Sequence, residues 1–236
     1  MNFYRKGEIS LKNKRIQTVW KAAALLLLMP MLFSCAVLDR FTSLIGYDTY
    51  DYMAEDVIGS VDKDSEVWLT LEGMLPMLTV SSAELPEFDG AAEAQSLCRD
   101  SLLNYMLDSR YSMYAGNAEL ISEVREKYPE YQLIAAIPKD DYESMMYRYF
   151  GGSSKINHGS TALFNYLDRA EAYVPVTSPI EGGVDFTMTS AMETEHSYRI
   201  SFSASSGEGD RTLRYFALVI KRDDGTLYFR TLMRDE

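Results

Sequence analysis

The run Leu213-Arg-Tyr-Phe-Ala-Leu-Val-Ile-Lys-Arg-Asp-Asp-Gly-Thr-Leu-Tyr-Phe-Arg-Thr-Leu232 carries the clearest structural signal in this chain of 236 residues. Two apolar segments flank Asp224-Gly225, and Asp-Gly between such segments is a strong hairpin signal. Three further segments rich in β-branched and aromatic residues precede the run, over Tyr173–Val176, Val184–Ser190 and Tyr198–Ser203. The last third of the chain is therefore predicted to form an antiparallel meander.

Upstream of the meander the apolar residues recur at helical spacing. Helices are predicted over Ser65–Thr79, over Ala91–Leu107, from an Asn117 cap to Tyr128, and from Asp140 to Gly151. Asp140 with Glu143 resembles a capping box. The short run Tyr131–Ile137, between two prolines, is predicted as a strand. The whole pattern predicts an α+β fold, with N-terminal helices followed by a C-terminal antiparallel β-meander packed on a helix.

The order of elements over residues 131–236 resembles that of the cystatin-like and nuclear-transport-factor-like folds. This resemblance implies a helix lying in the concavity of a curved antiparallel sheet. The same order, with the phrase Tyr149-Phe150-Gly151, is also similar to exported inhibitors of bacterial cell-wall endopeptidases. Such folds serve enzymes, binding proteins and inert modules alike, so they imply no activity by themselves.

The N-terminus has the layout of an export signal: a basic, polar leader, an apolar run over residues 22–33, and Ser34 before Cys35. Leu32-Phe33-Ser34-Cys35 resembles the lipobox of bacterial lipoproteins. The resemblance implies that Cys35 is lipidated with diacylglycerol and acyl chains such as palmitate, and that the signal peptide, residues 1–34, is removed. The alternative is an uncleaved anchor, because extension of the apolar run to Leu38 approaches the lower length limit of a spanning helix.

Both interpretations place the chain after Leu38 outside the cytoplasm. Six basic residues and one acidic residue precede the apolar run, and this bias keeps the N-terminal end inside. The folded part is therefore expected on the extracytoplasmic face of the cell membrane, and of the two interpretations we expect the lipid-anchored form. In the Gram-negative lipoproteins that this chain resembles, aspartate after the cysteine signals retention in the inner membrane. This chain has Ala36 there, so the resemblance implies sorting to the outer membrane, where the envelope has one.

The exported part is strongly acidic. Removal of residues 1–34 leaves 17 basic and 34 acidic residues, a net charge of about −17. This charge excludes a nucleic-acid-binding surface, which must be basic, and either provides solubility or suits a basic partner. Residues 35–64 are predicted to form the lipidated cysteine and a tether whose tyrosines could dock onto the domain, residues 65–130 a helical region, and residues 131–236 the α+β domain.

No catalytic motif emerges from the sequence. His158 and His196 stand far apart and are interpreted as exposed residues of a loop and a turn, Cys98 lies on an apolar helical stripe, and Asp62-Lys-Asp64 lacks the glycine of a calcium loop. No phosphate loop, dinucleotide fingerprint or serine-hydrolase motif is present. We therefore expect no metal and no cofactor. Distant paired carboxylates, as in glycosidases, remain open.

The helix before Gly151 carries more aromatic and methionine residues than one buried stripe needs. A binding groove beside this helix is one interpretation, and ordinary core packing is the other. The candidate groove residues are Tyr142, Met145, Met146, Tyr147, Tyr149 and Phe150. The sequence thus favours a non-enzymatic binding module of the cell envelope, with a protein or envelope polymer as partner. The alternatives are a carboxylate hydrolase, an inhibitor of cell-wall hydrolases, and a purely structural accessory domain without a pocket.

Overall fold

The computed structural model describes residues 50–131, 134–152, 156–176, 183–206 and 212–235. The signal segment, Cys35 and most of the tether lie outside these residues. From Asp51 onward the chain forms one compact unit in which helices and antiparallel strands share a core. The predicted α+β class is confirmed. Within the described ranges, no helix combines the length and the apolar content required to span a membrane.

Most of the described helices lie on the predicted apolar stripes, but Tyr111–Ala115 was not predicted, and the helix predicted over Ser65–Thr79 ends at Met74. Their bounds are Glu66–Met74 (α1), Ala91–Leu97 (α2), Arg99–Ser109 (α3), Tyr111–Ala115 (α4), Ala118–Lys127 (α5) and Lys139–Phe150 (α6), and 3₁₀ turns span Tyr52–Ala54 and Leu75–Leu78. The predicted cap of α5 is confirmed, because the Asn117 side chain accepts a hydrogen bond from the Leu120 N–H. Helix α6 ends at Gly151, as predicted.

The helix predicted over Ala91–Leu107 is interrupted at Cys98. The backbone there has φ −98° and ψ 14°, which ends α2 and begins α3. The Cys98 carbonyl accepts hydrogen bonds at 3.0 Å from both the Leu102 N–H and the Ser101 hydroxyl. A side-chain hydroxyl that bonds to a helical carbonyl often bends a helix, and continuous apolar spacing does not reveal such a break.

The capping box predicted for Asp140 and Glu143 is wrong. Helix α6 starts directly after Pro138, and no side chain caps it. The backbone N–H of Lys139 instead donates to the Glu171 carbonyl at 2.8 Å, which satisfies one of the donors that a cap would serve. The carboxylate of Glu143 is thereby left for a different contact, described below.

The described part of the chain forms two antiparallel sheets. The strands are Gly59–Ser60 (β1), Phe88–Asp89 (β2), Ile137–Pro138 (β3), Phe164–Leu167 (β4), Ala172–Pro175 (β5), Val184–Glu193 (β6), Ser197–Ser206 (β7), Thr212–Lys221 (β8) and Leu227–Asp235 (β9). The larger sheet has the order β1-β6-β7-β8-β9-β2, and the smaller one β3-β5-β4. The predicted hairpin at Asp224-Gly225 is confirmed as the connection of β8 to β9. Strand β5 was predicted as part of the meander but lies in the smaller sheet.

Three of the short strands, β1, β2 and β4, were not foreseen among the described residues. Segments of two residues, such as β1 and β2, offer no alternation to detect, and β4 has only four residues. Of the strand predicted over Tyr131–Ile137, only Ile137 is in a strand among the described residues.

The main core lies between the large sheet and the helices. Alternation along β7 buries Tyr198, Ile200, Phe202 and Ala204 on one face. Helix α6 packs on β9, where the Phe150 and Phe229 rings lie 6.0 Å apart, so the meander is packed on a helix as predicted. A second cluster joins α5 to the small sheet.

The final part of the predicted tether belongs to this folded unit. The Nη2 atom of Arg199 donates to the carbonyl oxygens of Tyr52, Met53 and Glu55 at 3.1, 3.0 and 2.6 Å. Strand β1 then extends the large sheet beside β6. We call residues 51–61 the arm.

Candidate functional site

A groove with a volume of about 490 Å³ lies between α1, the end of α6 and the β8–β9 turn. We call it the α1 groove. Its floor is apolar and includes Met74, Met77 and Leu227, while Leu69 stands on its wall with 61% of its surface exposed. A concave, mostly apolar site of this size with a few polar groups is the usual form of a ligand site.

Two sequence features shape the side of the groove formed by α1: the N-cap of the helix and a glycine on its groove face. The Ser65 hydroxyl accepts from the Trp68 N–H at 3.2 Å, which starts the helix. The helix is rotated so that Trp68 and Leu71 are buried in the core, while Gly73 faces the groove. A Cβ atom added at Gly73 would meet no atom within 4 Å, so the groove is open at this point.

The opposite wall depends on the hairpin and on the end of α6. Gly225 has φ +81°, a conformation that favours glycine, and Asp224 Oδ1 accepts from both the backbone N–H and the hydroxyl of Thr226. Arg148 and Tyr149 of α6 complete the lining, with the guanidinium carbon 5.4 Å from the ring centroid.

The six residues predicted to line a groove divide into two groups. Tyr142, Met145, Met146 and Phe150 are buried and belong to the core, so ordinary packing accounts for them. Tyr147 is 52% exposed and stacks on Arg222 at 4.5 Å, and of the six only Tyr149 lines the α1 groove. The residues that the sequence did not suggest come from α1 and from the hairpin turn, because grooves between distant segments leave no local pattern.

His158 is not the exposed loop residue that we predicted. Its Nε2 atom lies 2.8 Å from Glu143 Oε1 and its Nδ1 atom 2.9 Å from the Tyr173 hydroxyl. Because an ionised carboxylate can only accept, Nε2 donates to it, and Nδ1 accepts from the Tyr173 hydroxyl when the ring is neutral. The histidine ring also stacks on Tyr166 with centroids 4.9 Å apart. Both ring nitrogens are therefore occupied by the fold.

The surroundings of His158 do not suit a nucleophile. Burial raises the pKa of the Tyr173 hydroxyl to about 12 and raises that of Tyr142 as well, so both phenols stay protonated at neutral pH. Arg99 fixes the loop around the histidine by donating from Nη1 to the Gly159 carbonyl at 3.3 Å. The cluster connects α6, this loop and the small sheet, and its visible role is structural.

His196 lies at the predicted turn and is exposed, but it has a specific partner. Its Nδ1 atom is 2.6 Å from Oε1 of Glu55 in the arm. The second oxygen of Glu55 accepts from the Thr194 hydroxyl and from the Ser197 hydroxyl. This carboxylate therefore attaches the arm to the β6–β7 turn.

Other chemistry finds little support in the described residues. Burial raises the pKa of the Cys98 thiol to about 12, which keeps it protonated and unreactive. No cluster of three or more histidine, cysteine, aspartate or glutamate side chains suited to a metal ion occurs in the described ranges. Hydrogen bonds from Lys139 and Thr226 lower the pKa values of Glu171 and Asp224, respectively, whereas a general acid needs a raised pKa.

A second cavity, of about 460 Å³, lies beside strands β7 and β8 and is lined mainly by hydroxyl groups together with Arg214 and Asp235. The α1 groove has the larger apolar floor and the more exposed apolar wall, so it is the better candidate for binding. Comparison of the chain with protein-family models, curated proteins and solved structures gave no match.

Proposed function

We propose that this chain is a lipoprotein anchored through Cys35 on the extracytoplasmic face of the membrane, and that its folded unit is a non-enzymatic binding module of the cell envelope. The observation that carries the binding role is the α1 groove, with its apolar floor and exposed Leu69. Exposed apolar surface inside a concave site is costly to leave in water and favours a bound partner. The anchor rests on the N-terminal sequence alone.

The binding role is tested by photo-crosslinking in cells. A photoreactive residue replaces Leu69 in the groove or, as a control, Leu97, which is 51% exposed and outside the groove lining. Adducts specific to position 69 are expected to disappear when Gly73→Trp fills the groove in the same chain. Identical adducts from both positions, or adducts that persist in the filled variant, would refute the role.

The anchor is tested by mass spectrometry of the N-terminus of membrane-extracted protein. A diacylated or triacylated Cys35 is the expected result. An intact Met1 leader would exclude the lipoprotein and favour the uncleaved anchor.

A further inference from the structure

We propose that the α1 groove binds a basic, amphipathic helix of a partner protein, an inference that rests on the binding function proposed above. Three features support this occupant: the apolar floor, the acidic rim and the length of α1. Each is a property of the described residues.

The floor fits an apolar stripe. Met74, Met77 and Leu227 lie beneath the groove, and Tyr149 lies at its side. Met74 and Met77 are 4% and 1% exposed, so they close the groove from below as core residues, and Leu69 is the most exposed apolar residue of the lining. Such floors are used by proteins that bind the apolar face of a helix.

The rim is acidic on both sides. Glu66 lies in the lining, and the exposed residues Asp62 and Asp64 precede it in the turn that leads into α1. On the other side Asp223 and Asp224 lie in the β8–β9 turn and are exposed. Hydrogen bonds from Thr226 lower the pKa of Asp224, so it remains charged in mildly acidic surroundings.

The basic residues near the groove make contacts within the fold, and Lys221 among them is paired with a carboxylate. Lys221 Nζ donates to Glu193 at 3.0 Å, and Arg222 donates to the Arg148 carbonyl at 3.0 Å. Lys63 lies over the Trp68 ring at 5.5 Å. Arg148 is the basic residue of the groove lining. Lys221 is paired with Glu193, and the exposed carboxylates of the two turns and Glu66 outnumber the other basic side chains near the groove, which are Lys63, Arg148 and Arg222. The rim is therefore net acidic, in agreement with the net charge of about −17 for residues 35–236.

The dimensions suit two to three helical turns. Helix α1 has nine residues and a length of about 13 Å. Apolar residues at positions i, i+4 and i+7 of a partner helix extend over about 10 Å. A helix with leucine or a similar residue at these positions and lysine or arginine on its flanks would match both floor and rim.

The test uses the full-length protein in a nonionic detergent and measures the anisotropy of labelled peptides. The probe is a peptide of about 14 residues with leucine at i, i+4 and i+7 and lysine elsewhere. A second peptide replaces lysine by glutamate, and a third scrambles the leucine spacing. Gly73→Trp fills the groove, and Gly183→Trp is the matched control, because a Cβ at Gly183 also meets no atom within 4 Å.

We expect the lysine peptide to bind at least about tenfold more tightly than either other peptide. Gly73→Trp should weaken binding by a similar factor, and Gly183→Trp should leave it unchanged. Glu66→Lys should weaken binding about three- to tenfold and flatten its salt dependence, whereas Arg148→Gln should leave affinity equal or raise it. Circular dichroism checks that each variant folds.

The inference is overturned by equal or tighter binding of the glutamate peptide, or by binding of the lysine peptide that Gly73→Trp does not change. Absence of binding by all three peptides would also overturn it. In these cases, crosslinks from position 69 that depend on an open groove would still support the binding function with a different partner. If crosslinks from position 69 did not depend on an open groove, both the helix-binding inference and the proposed binding function would be refuted.

Discussion

The folded unit contains two carboxylate–histidine pairs with opposite burial. In the first, His158 has only 11% of its side chain exposed and Glu143 has 39%. In the second, His196 has 49% exposed and Glu55 has 6%. A buried member leaves other buried groups without partners when it is removed, whereas an exposed member is replaced by water. We therefore expect the histidine to matter more for stability in the first pair, and the carboxylate to matter more in the second.

The largest effect is expected from His158→Ala. This change removes the ring that stacks on Tyr166 and leaves the Tyr173 hydroxyl without its nitrogen acceptor. We expect a loss of about 2–4 kcal/mol in the free energy of unfolding, measured by urea denaturation. A loss below about 1 kcal/mol would show that the cluster does not support the fold.

Glu55→Ala should have the next largest effect. Its carboxylate serves Thr194, Ser197 and His196, so the expected loss is about 1–3 kcal/mol. Limited proteolysis should also cut the arm faster in this variant. An unchanged cleavage rate and an unchanged unfolding midpoint would argue that Arg199 and β1 hold the arm by themselves.

Changes in the exposed members should be smaller. Glu143→Gln keeps an acceptor for His158, and His196→Ala removes a ring that is half exposed. Each should cost less than about 1 kcal/mol in the same denaturation assay. If His196→Ala costs as much as Glu55→Ala, burial does not decide the roles of the two partners.

The smallest effect concerns pH near the first pair. Lys139 lies 2.7 Å from Glu171 and lowers the pKa of that carboxyl group. When the pKa of a carboxyl group is lower in the folded state, the group stabilises the fold at pH values above the pKa of the unfolded state. This stabilisation is lost as the pH falls through the pKa of the folded state. The unfolding midpoints of the wild type and Glu171→Gln should therefore differ slightly at pH 7 and converge in strong acid. A difference that grows on acidification would contradict the assignment.

Local chemistry explains which parts of the fold could be predicted. The Asp224-Gly225 turn and the Asn117 cap depend on residues within a few positions of one another, and both were foreseen. The break at Cys98, where the backbone has φ −98° and ψ 14°, lies inside an otherwise favourable apolar pattern. The spacing of the apolar residues over Ala91–Leu107 was that of one continuous helix.

The sites required information that the sequence order does not display. His158 meets Glu143 and Tyr173 only because α6 and the small sheet close around its loop. The α1 groove likewise needs three segments that are distant in the chain. Tyr149 was foreseen as a groove residue from its helix alone, whereas Gly73 gave no signal before the turn opposite it was known.

The arm also fixes where an independently folding fragment can begin. Glu55 and strand β1 precede the first helix, yet they cover Thr194 and Ser197, which are fully buried. A truncation at Ser65, the natural choice from helix boundaries, would expose these hydroxyl groups and the Arg199 guanidinium to water and leave the edge of β6 unpaired. Expression fragments should therefore start before Asp51, and a protease that cuts the arm would shorten the protein and also weaken its sheet.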